Sequence, residues 1–221
     1  MLPFDADALF ATFAQQNRAL WPAPAAVLML ALGAIVLAVR PPPWGAKAIG
    51  TVAAAGWFWV AVGWHFLVFA GLKFMAPLYG AAFMGEGMLL VWSTWRGRLA
   101  FRLRRDLCGW AGLALAVVAV VGYPLVDWFT GLDWAAVRVA GLAPCPTALL
   151  TMSFLLLAEG RKPLLLMLIP VLWTLVAGAS GWSLAIPQDT VLPLAAIGAV
   201  TLMLRSNRRR AAEPVRSDRW A

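Results

Sequence analysis

The chain has 221 residues, of which 62% are hydrophobic and only 13% are charged, and its formal net charge is +8. Soluble domains are nearer half apolar and a quarter charged, so this composition argues against a water-soluble globular protein. The basic residues stand in short loops beside apolar segments, which argues against nucleic-acid binding and favours contact with anionic lipid. We therefore expect an all-α integral membrane protein.

The chain begins with a short amphipathic segment, for which we predict a helix over residues 5–19. Asp5 is placed to cap this helix, and Leu9, Phe10 and Phe13 form one apolar patch along it. A helix of this kind lies in the membrane interface rather than crossing the bilayer. We expect it on the outer side.

Seven apolar segments follow, each approaching the length that crosses a bilayer core of about 30 Å. They make residues 1–204 a single transmembrane domain, and residues 205–221 form a basic cytoplasmic tail. Tryptophans near the segment ends support the boundaries, because indole rings favour the membrane interface. The predicted spans are residues 22–39, 48–72, 76–95, 107–129, 144–158, 163–183 and 190–204.

The distribution of Lys and Arg predicts the orientation of the bundle. With the N-terminus outside, the cytoplasmic loops and tail hold 15 of the 18 basic residues, as expected because cationic loops stay inside during insertion. The fifth span is the weakest, since residues 147–158 cover only about 18 Å. A re-entrant segment there would leave 7 basic residues inside and 11 outside. We therefore predict a seven-transmembrane-helix bundle, with the N-terminus outside and the C-terminus cytoplasmic.

Two ionisable residues inside the predicted spans are the first candidates for function. His65 lies about 10 Å from the outer end of the second span, and Glu86 lies about 15 Å into the third. An ionised carboxylate near the bilayer centre costs at least about 2.5–3.5 kcal/mol, so a partner, a water-filled cavity or protonation must offset it. Tyr79, Glu86 and Ser93 recur every seven residues and share one helix face. This stripe predicts a proton path or the wall of a polar pocket, or else a buried pair that joins two helices.

The run Pro144-Cys145-Pro146-Thr147, at the outer start of the fifth span, is the second candidate. Proline fits the first turn of a helix because its missing N–H has no partner there. Broken helices that enter the membrane also build the midplane sites of many transporters. The alternative interpretation is that the prolines only end a loop and that the thiol is incidental.

We predict no metal ion, cofactor or catalytic residue. Met84 and Met88 lie on helix faces turned away from Glu86, and one His with two separated Cys cannot close a zinc site. The last span has no Lys for retinal, and no glycine-rich phosphate loop occurs. An enzyme is less expected than a non-enzyme, since it would require folding to bring Cys145 and His65 together.

The order of these features resembles a family of bacterial multi-pass membrane proteins known only as domain of unknown function 6064. The most specific part is the Pro144–Thr147 run with Ile169-Pro170 and Trp173 downstream. Glu86 stands where the family pattern has Gln, and an amide forms hydrogen bonds but does not transfer protons. The resemblance implies no established activity. It also rests on Leu2-Pro3-Phe4, Phe10, Phe13, Asn17, Trp21-Pro22, Trp57, His65, Phe69, Tyr79-Gly80, Phe83, Tyr123-Pro124, Gly141 and Asp189.

The expected function is the binding or passage of a small solute or proton through a pocket lined by His65, Tyr79, Glu86, Cys145 and Thr147. The alternative is a non-catalytic accessory subunit in a larger membrane complex, which the short loops and small, close-packing residues would suit. The expected partners are the lipid bilayer, with anionic lipid at the basic loops and tail, and a membrane protein or a second copy of the chain.

Overall fold

The computed structural model describes residues 4–212. Within this range the chain is helical, apart from loops and two isolated β-bridges, which confirms the all-α prediction. Leu2 and Pro3 of the family resemblance, and Arg216 and Arg219 of the predicted tail, lie outside the described residues.

Ten α-helices follow one another along the described chain, and helices occupy all seven predicted segments. Two π-helical segments extend them: Val60–Phe66 continues the third helix, and Val118–Gly122 joins the fifth to the sixth. The last helix runs to Ala212, past the predicted end at Leu204. The helices are α1 Ala6–Ala19, α2 Ala23–Val39, α3 Gly45–Trp59, α4 Ala76–Trp95, α5 Leu107–Val117, α6 Tyr123–Phe129, α7 Pro144–Leu157, α8 Leu165–Ser183, α9 Pro187–Thr190 and α10 Leu192–Ala212.

Four helical segments in the described range are long and apolar enough to cross a membrane: Gly45–Gly71, Leu107–Phe129, Leu165–Ser183 and Pro187–Ala212. α1 and α2 together would make a fifth, although they are bent by 92° relative to each other. These lengths and compositions indicate a membrane protein. The tryptophans near the predicted span ends are all exposed and lie at or beside helix ends: Trp21, Trp44, Trp95, Trp128, Trp134 and Trp182.

α7 forms the centre of the bundle. All 14 of its residues are buried, and α3, α5, α8 and α10 pack around it. Its length of about 21 Å is less than a bilayer core of about 30 Å. Short helices and irregular backbone are tolerated at membrane depth when protein surrounds them. The shortness of the fifth predicted span therefore agrees with its position inside the protein.

Glycines bring α3 and α4 into close contact and define their register. A Cβ at Gly87 would lie 2.7 Å from the ring of Phe58, and one at Gly80 would lie 2.5 Å from the ring of Phe66. Such small residues let antiparallel helices approach closely. The register places the π-helical end of α3 beside the first turns of α4.

Asp5 caps the start of α1, and its carboxylate accepts a hydrogen bond of 2.8 Å from the Ala8 N–H. Its apolar patch packs on the protein, because Phe13 stacks on Trp64 with ring centroids 3.9 Å apart. Asn17 donates to two backbone carbonyls of the loop before α7, at 2.7 and 2.9 Å. α1 therefore covers the end of the bundle where α7 begins.

Candidate functional site

A small pocket lies beneath α1, at the N-terminal end of α7. Its volume is about 50 Å³, which is room for only a few water molecules. Cys145 is 8% exposed and forms part of its wall. We call it the Cys145 pocket, and its polar and aromatic wall includes Lys73, Arg138, Asp189, Trp173, Phe13 and Phe69.

His65 lies directly behind this pocket. Its ring is surrounded by Phe69, Tyr79, Phe83 and Trp173, with centroid separations between 4.7 and 6.0 Å. Phe69 and Trp173 also line the Cys145 pocket. His65 is fully buried, and neither ring nitrogen has a hydrogen-bond partner within residues 4–212. The π-helical segment that carries His65 is a geometry frequently found at functional sites.

Glu86 is also fully buried, in the middle of α4. Neither of its carboxyl oxygens has a hydrogen-bond partner in the described part of the chain. From the register of α3 and α4, Glu86 lies about 9 Å further along the bundle than His65. The two residues are therefore on facing helices but do not form the hydrogen-bonded pair that would join those helices.

Tyr79 and Thr147 have different surroundings. The Lys73 ammonium lies 5.3 Å from the Tyr79 ring centroid, and that ring also contacts His65, so Tyr79 borders the site. The Thr147 hydroxyl donates to the Ala143 carbonyl at 2.6 Å and accepts from the Gly141 N–H at 2.7 Å. Gly141 has a φ of +97°, a backbone conformation that favours glycine. Thr147 therefore stabilises the turn that starts α7 and is absent from the lining of the Cys145 pocket.

A buried charge cluster at the same end of the bundle was missed by sequence reasoning. Arg138 is 1% exposed, and its guanidinium donates to Asp127 at 2.7 Å and to Asp189 at 2.7 Å. The Tyr123 hydroxyl donates to Asp189 at 2.9 Å, and the Gln188 amide donates to Asp127 at 2.9 Å. We call these five residues the buried charge cluster. Asp127 was the feature of the sequence that could have revealed this cluster, because a carboxylate near the end of an apolar span requires a partner.

The arrangement offers neither a metal centre nor a thiol–imidazole pair among residues 4–212. No group of three or more His, Cys, Asp or Glu side chains in that range is placed to hold a metal ion. His65 and Cys145 both lie near Trp173, but His65 has no hydrogen-bond partner there. Cys108 and Cys145 are both free thiols. The chemistry of the site is therefore that of buried polar groups beside a small cavity.

These features define a class of protein: an all-helical membrane protein with a buried polar region at one end of its bundle. The chain belongs to the family of unknown function DUF6064, whose profile matches residues 6–213. This match confirms the resemblance found in the sequence. Comparison with curated proteins gives no match, and comparison with solved structures gives none.

Proposed function

We propose that this protein crosses a bacterial inner membrane seven times. We also propose that it passes protons, or another small solute, through its interior. The N-terminus would be outside and the C-terminus cytoplasmic. The charge distribution supports this topology, since 15 of the 18 basic residues then face the cytoplasm. The enclosure of α7 supports the count of seven, because a buried helix need not match the bilayer thickness.

The observation that carries the proposal is the pair of unpartnered ionisable groups, His65 and Glu86, in the interior of the bundle. Buried polar groups in folded proteins are nearly always hydrogen-bonded. Ionisable residues inside membrane domains are costly, and they mark ion and proton pathways. Hydrogen bonding between helices does not explain these two polar groups, because neither one has a hydrogen-bond partner on a neighbouring helix within residues 4–212.

The surroundings of these groups suggest a route along α4. The Cys145 pocket shares the rings of Phe69 and Trp173 with His65, and Glu86 follows about 9 Å further on. Thr94, whose buried hydroxyl also has no partner within residues 4–212, lies about 12 Å beyond Glu86. A pocket with room for only a few water molecules favours a proton over a bulky organic solute.

Proton flux into proteoliposomes tests the proposal directly. Purified protein is reconstituted with a pH-sensitive dye inside the vesicles, and a potassium diffusion potential drives proton entry. We expect flux above that of protein-free vesicles, and a reduction of at least about tenfold in Glu86→Gln, because an amide cannot carry the proton. Glu159→Gln is the matched control, since Glu159 is exposed at the opposite end of the bundle, and its flux should equal that of the unchanged protein.

Glu86→Leu shows whether position 86 carries the proton itself or only forms a hydrogen bond along the route. Flux that survives in Glu86→Gln but disappears in Glu86→Leu would assign a hydrogen-bonding role to position 86, which the Gln of the family pattern would also serve. Flux no greater than that of empty vesicles would contradict proton passage. Equal flux in all of these variants would contradict the route along α4.

A second candidate function, an accessory subunit of a membrane complex, is favoured by one groove. It has a volume of about 480 Å³ and lies between α2 and α3, and small residues in its wall would let a partner helix approach closely. Ala55→Trp fills this groove, whereas Met88→Trp changes an exposed position on α4. A stoichiometric companion retained in mild detergent by Met88→Trp but lost in Ala55→Trp would support this function. A clean monomer would contradict it.

A further inference from the structure

A basic cleft opens at the end of the bundle opposite the Cys145 pocket. It lies between the α4–α5 connection and α10, and its volume is about 480 Å³. Asp106 is the single carboxylate residue in its described lining. Five arginines line it, namely Arg104, Arg105, Arg205, Arg209 and Arg210.

The α10 side of the basic cleft is a continuous helix face. Leu202, Arg205, Ser206 and Arg209 have the i, i+3, i+4 and i+7 spacing that places side chains together. α10 remains helical to Ala212, so these arginines project from a fixed scaffold. The Cys108 thiol donates to the carbonyl of Leu202 at 3.5 Å, which ties this face to the start of α5.

The other wall is the N-terminus of α5. Asp106 caps this helix by accepting the Gly109 N–H at 2.8 Å, and it also pairs with Arg104. Partial burial acts to raise the pKa of Asp106, but the Gly109 N–H and Arg104 outweigh it and hold the pKa below its usual range. Asp106 is therefore ionised at neutral pH, and five arginines against one carboxylate leave an excess of four positive charges. The positive end of the α5 dipole adds to this field.

Membrane orientation alone does not explain why these arginines lie together. Basic loops satisfy the orientation rule wherever they point in the cytoplasm, whereas these arginines converge from distant parts of the chain on one cavity. Like charges held close together repel one another, so a bound anion would stabilise the arrangement. The planar fork of an arginine can donate to two oxygens of a phosphate at once, a geometry that a monatomic anion does not offer.

We propose that the basic cleft binds a phosphate-bearing anion, with Arg205 and Arg209 as its principal ligands. The apolar side chains of Leu107 and Leu202 border the same cavity, which suits the phosphate of a lipid headgroup whose acyl chains continue along the bundle. A soluble phosphate compound would use the same arginines without these apolar contacts. The site is independent of the proton route at the other end of the bundle.

Native mass spectrometry of the full chain in non-ionic detergent tests the site. Titrations use diphosphatidylglycerol, phosphatidylcholine and pyrophosphate as separate probes. We expect diphosphatidylglycerol to bind and phosphatidylcholine not to bind, and we expect Arg205→Gln/Arg209→Gln to weaken binding by about tenfold or more. Arg102→Gln/Arg208→Gln removes the same charge from exposed positions outside the cleft, and we expect it to change the affinity less than about twofold.

The two phosphate probes distinguish a lipid headgroup from a soluble phosphate compound. Pyrophosphate binding with the same dependence on Arg205 and Arg209 supports the site and assigns it to a soluble phosphate compound. Equal weakening by the two double variants, or no binding of either phosphate probe, overturns the proposal. Arg205→Lys/Arg209→Lys keeps the charge and should retain more binding than the Gln pair. Equal melting temperatures among the variants show that any loss is not caused by unfolding.

Discussion

The buried charge cluster and the His65–Glu86 region contain ionisable groups that are buried to a similar extent but differ in their hydrogen bonding. In the cluster, Arg138 donates to both carboxylates, and the Tyr123 hydroxyl and the Gln188 amide N–H also donate to them. Every charged group is therefore partnered, and only Gln188 Oε1 has no partner in the described residues. His65 and Glu86 have no such partner within residues 4–212. A satisfied network fixes the positions of the segments it joins. Unsatisfied groups contribute no such hydrogen bonds to the fold, and it is to these groups that we assign the proposed proton route.

The largest expected effect is the loss of Arg138. Arg138→Met leaves two buried carboxylates without their shared cation, which typically costs about 3–5 kcal/mol of stability. Denaturant unfolding in detergent measures this loss. Arg18→Met is the control, because the ion pair of Arg18 with Asp133 is exposed and is worth less than about 1 kcal/mol. Equal free energies of unfolding of the two variants would contradict the stabilising role of the buried charge cluster.

Lys162 is another buried charged residue whose head group has hydrogen-bond partners. It is 2% exposed, and its ammonium donates to the carbonyls of Leu156 and Ala158 at the C-terminal end of α7. Lys162→Met should lower the free energy of unfolding by about 2 kcal/mol, since hydrogen bonds to charged groups are the strong ones. Arg161→Met changes an exposed neighbour and should leave the unfolding curve in place. A similar curve for both variants would mean that the end of α7 does not depend on Lys162.

A smaller loss is expected at the cap of α5. Asp106→Ala removes the acceptor for the Gly109 N–H and should cost about 1 kcal/mol, whereas Asp106→Asn can still cap the helix. The lowered pKa of Asp106 adds a pH dependence. Its charge contributes stability above the unfolded pKa of about 3.9, and this contribution is lost as the pH falls through the lower folded pKa. Unfolding of Asp106→Asn should therefore show less loss of stability than the unchanged protein between about pH 5 and pH 3.

The smallest effect on stability is expected at Glu86. Glu86→Gln removes no hydrogen bond to the described chain, so the free energy of unfolding should stay within about 0.5 kcal/mol of its original value. Calorimetry of the same preparation used for proton flux checks this. A loss above about 2 kcal/mol would show that Glu86 supports the fold, and the contrast with Arg138 would then fail.

The all-helical fold and its membrane character could be predicted from the sequence because long apolar segments are local signals. The same signals brought out His65 and Glu86, since an ionisable residue in an apolar segment is conspicuous. The buried charge cluster escaped because Arg138 appeared to be an ordinary loop residue. Its two acidic partners come from different segments, and only the folded chain brings Asp127, Arg138 and Asp189 together.

The end of α10 shows a second limit of sequence reasoning. The apolar pattern stops near Leu204, and the sequence predicted a basic tail from residue 205 without indicating its conformation; the structure is helical to Ala212. Arginine is a good helix former, and Asn207 holds this turn against the α7–α8 loop. Its side chain accepts from the Lys162 N–H at 2.8 Å and donates to the Lys162 carbonyl at 3.0 Å. Such a long-range contact has no signature in the apolar period.

The enclosure of α7 bears on how the protein is assembled. A helix surrounded by its own chain is selected for fit to its neighbours, and it can carry hydroxyl groups such as Thr151, which accepts a hydrogen bond from the Trp57 indole at 2.8 Å. At about 21 Å it is the segment least suited to stand alone in lipid during synthesis. Under the proposed seven-span topology, the insertion of α7 would depend on the helices made before it, and disruption of α3 or α5 would impair that insertion.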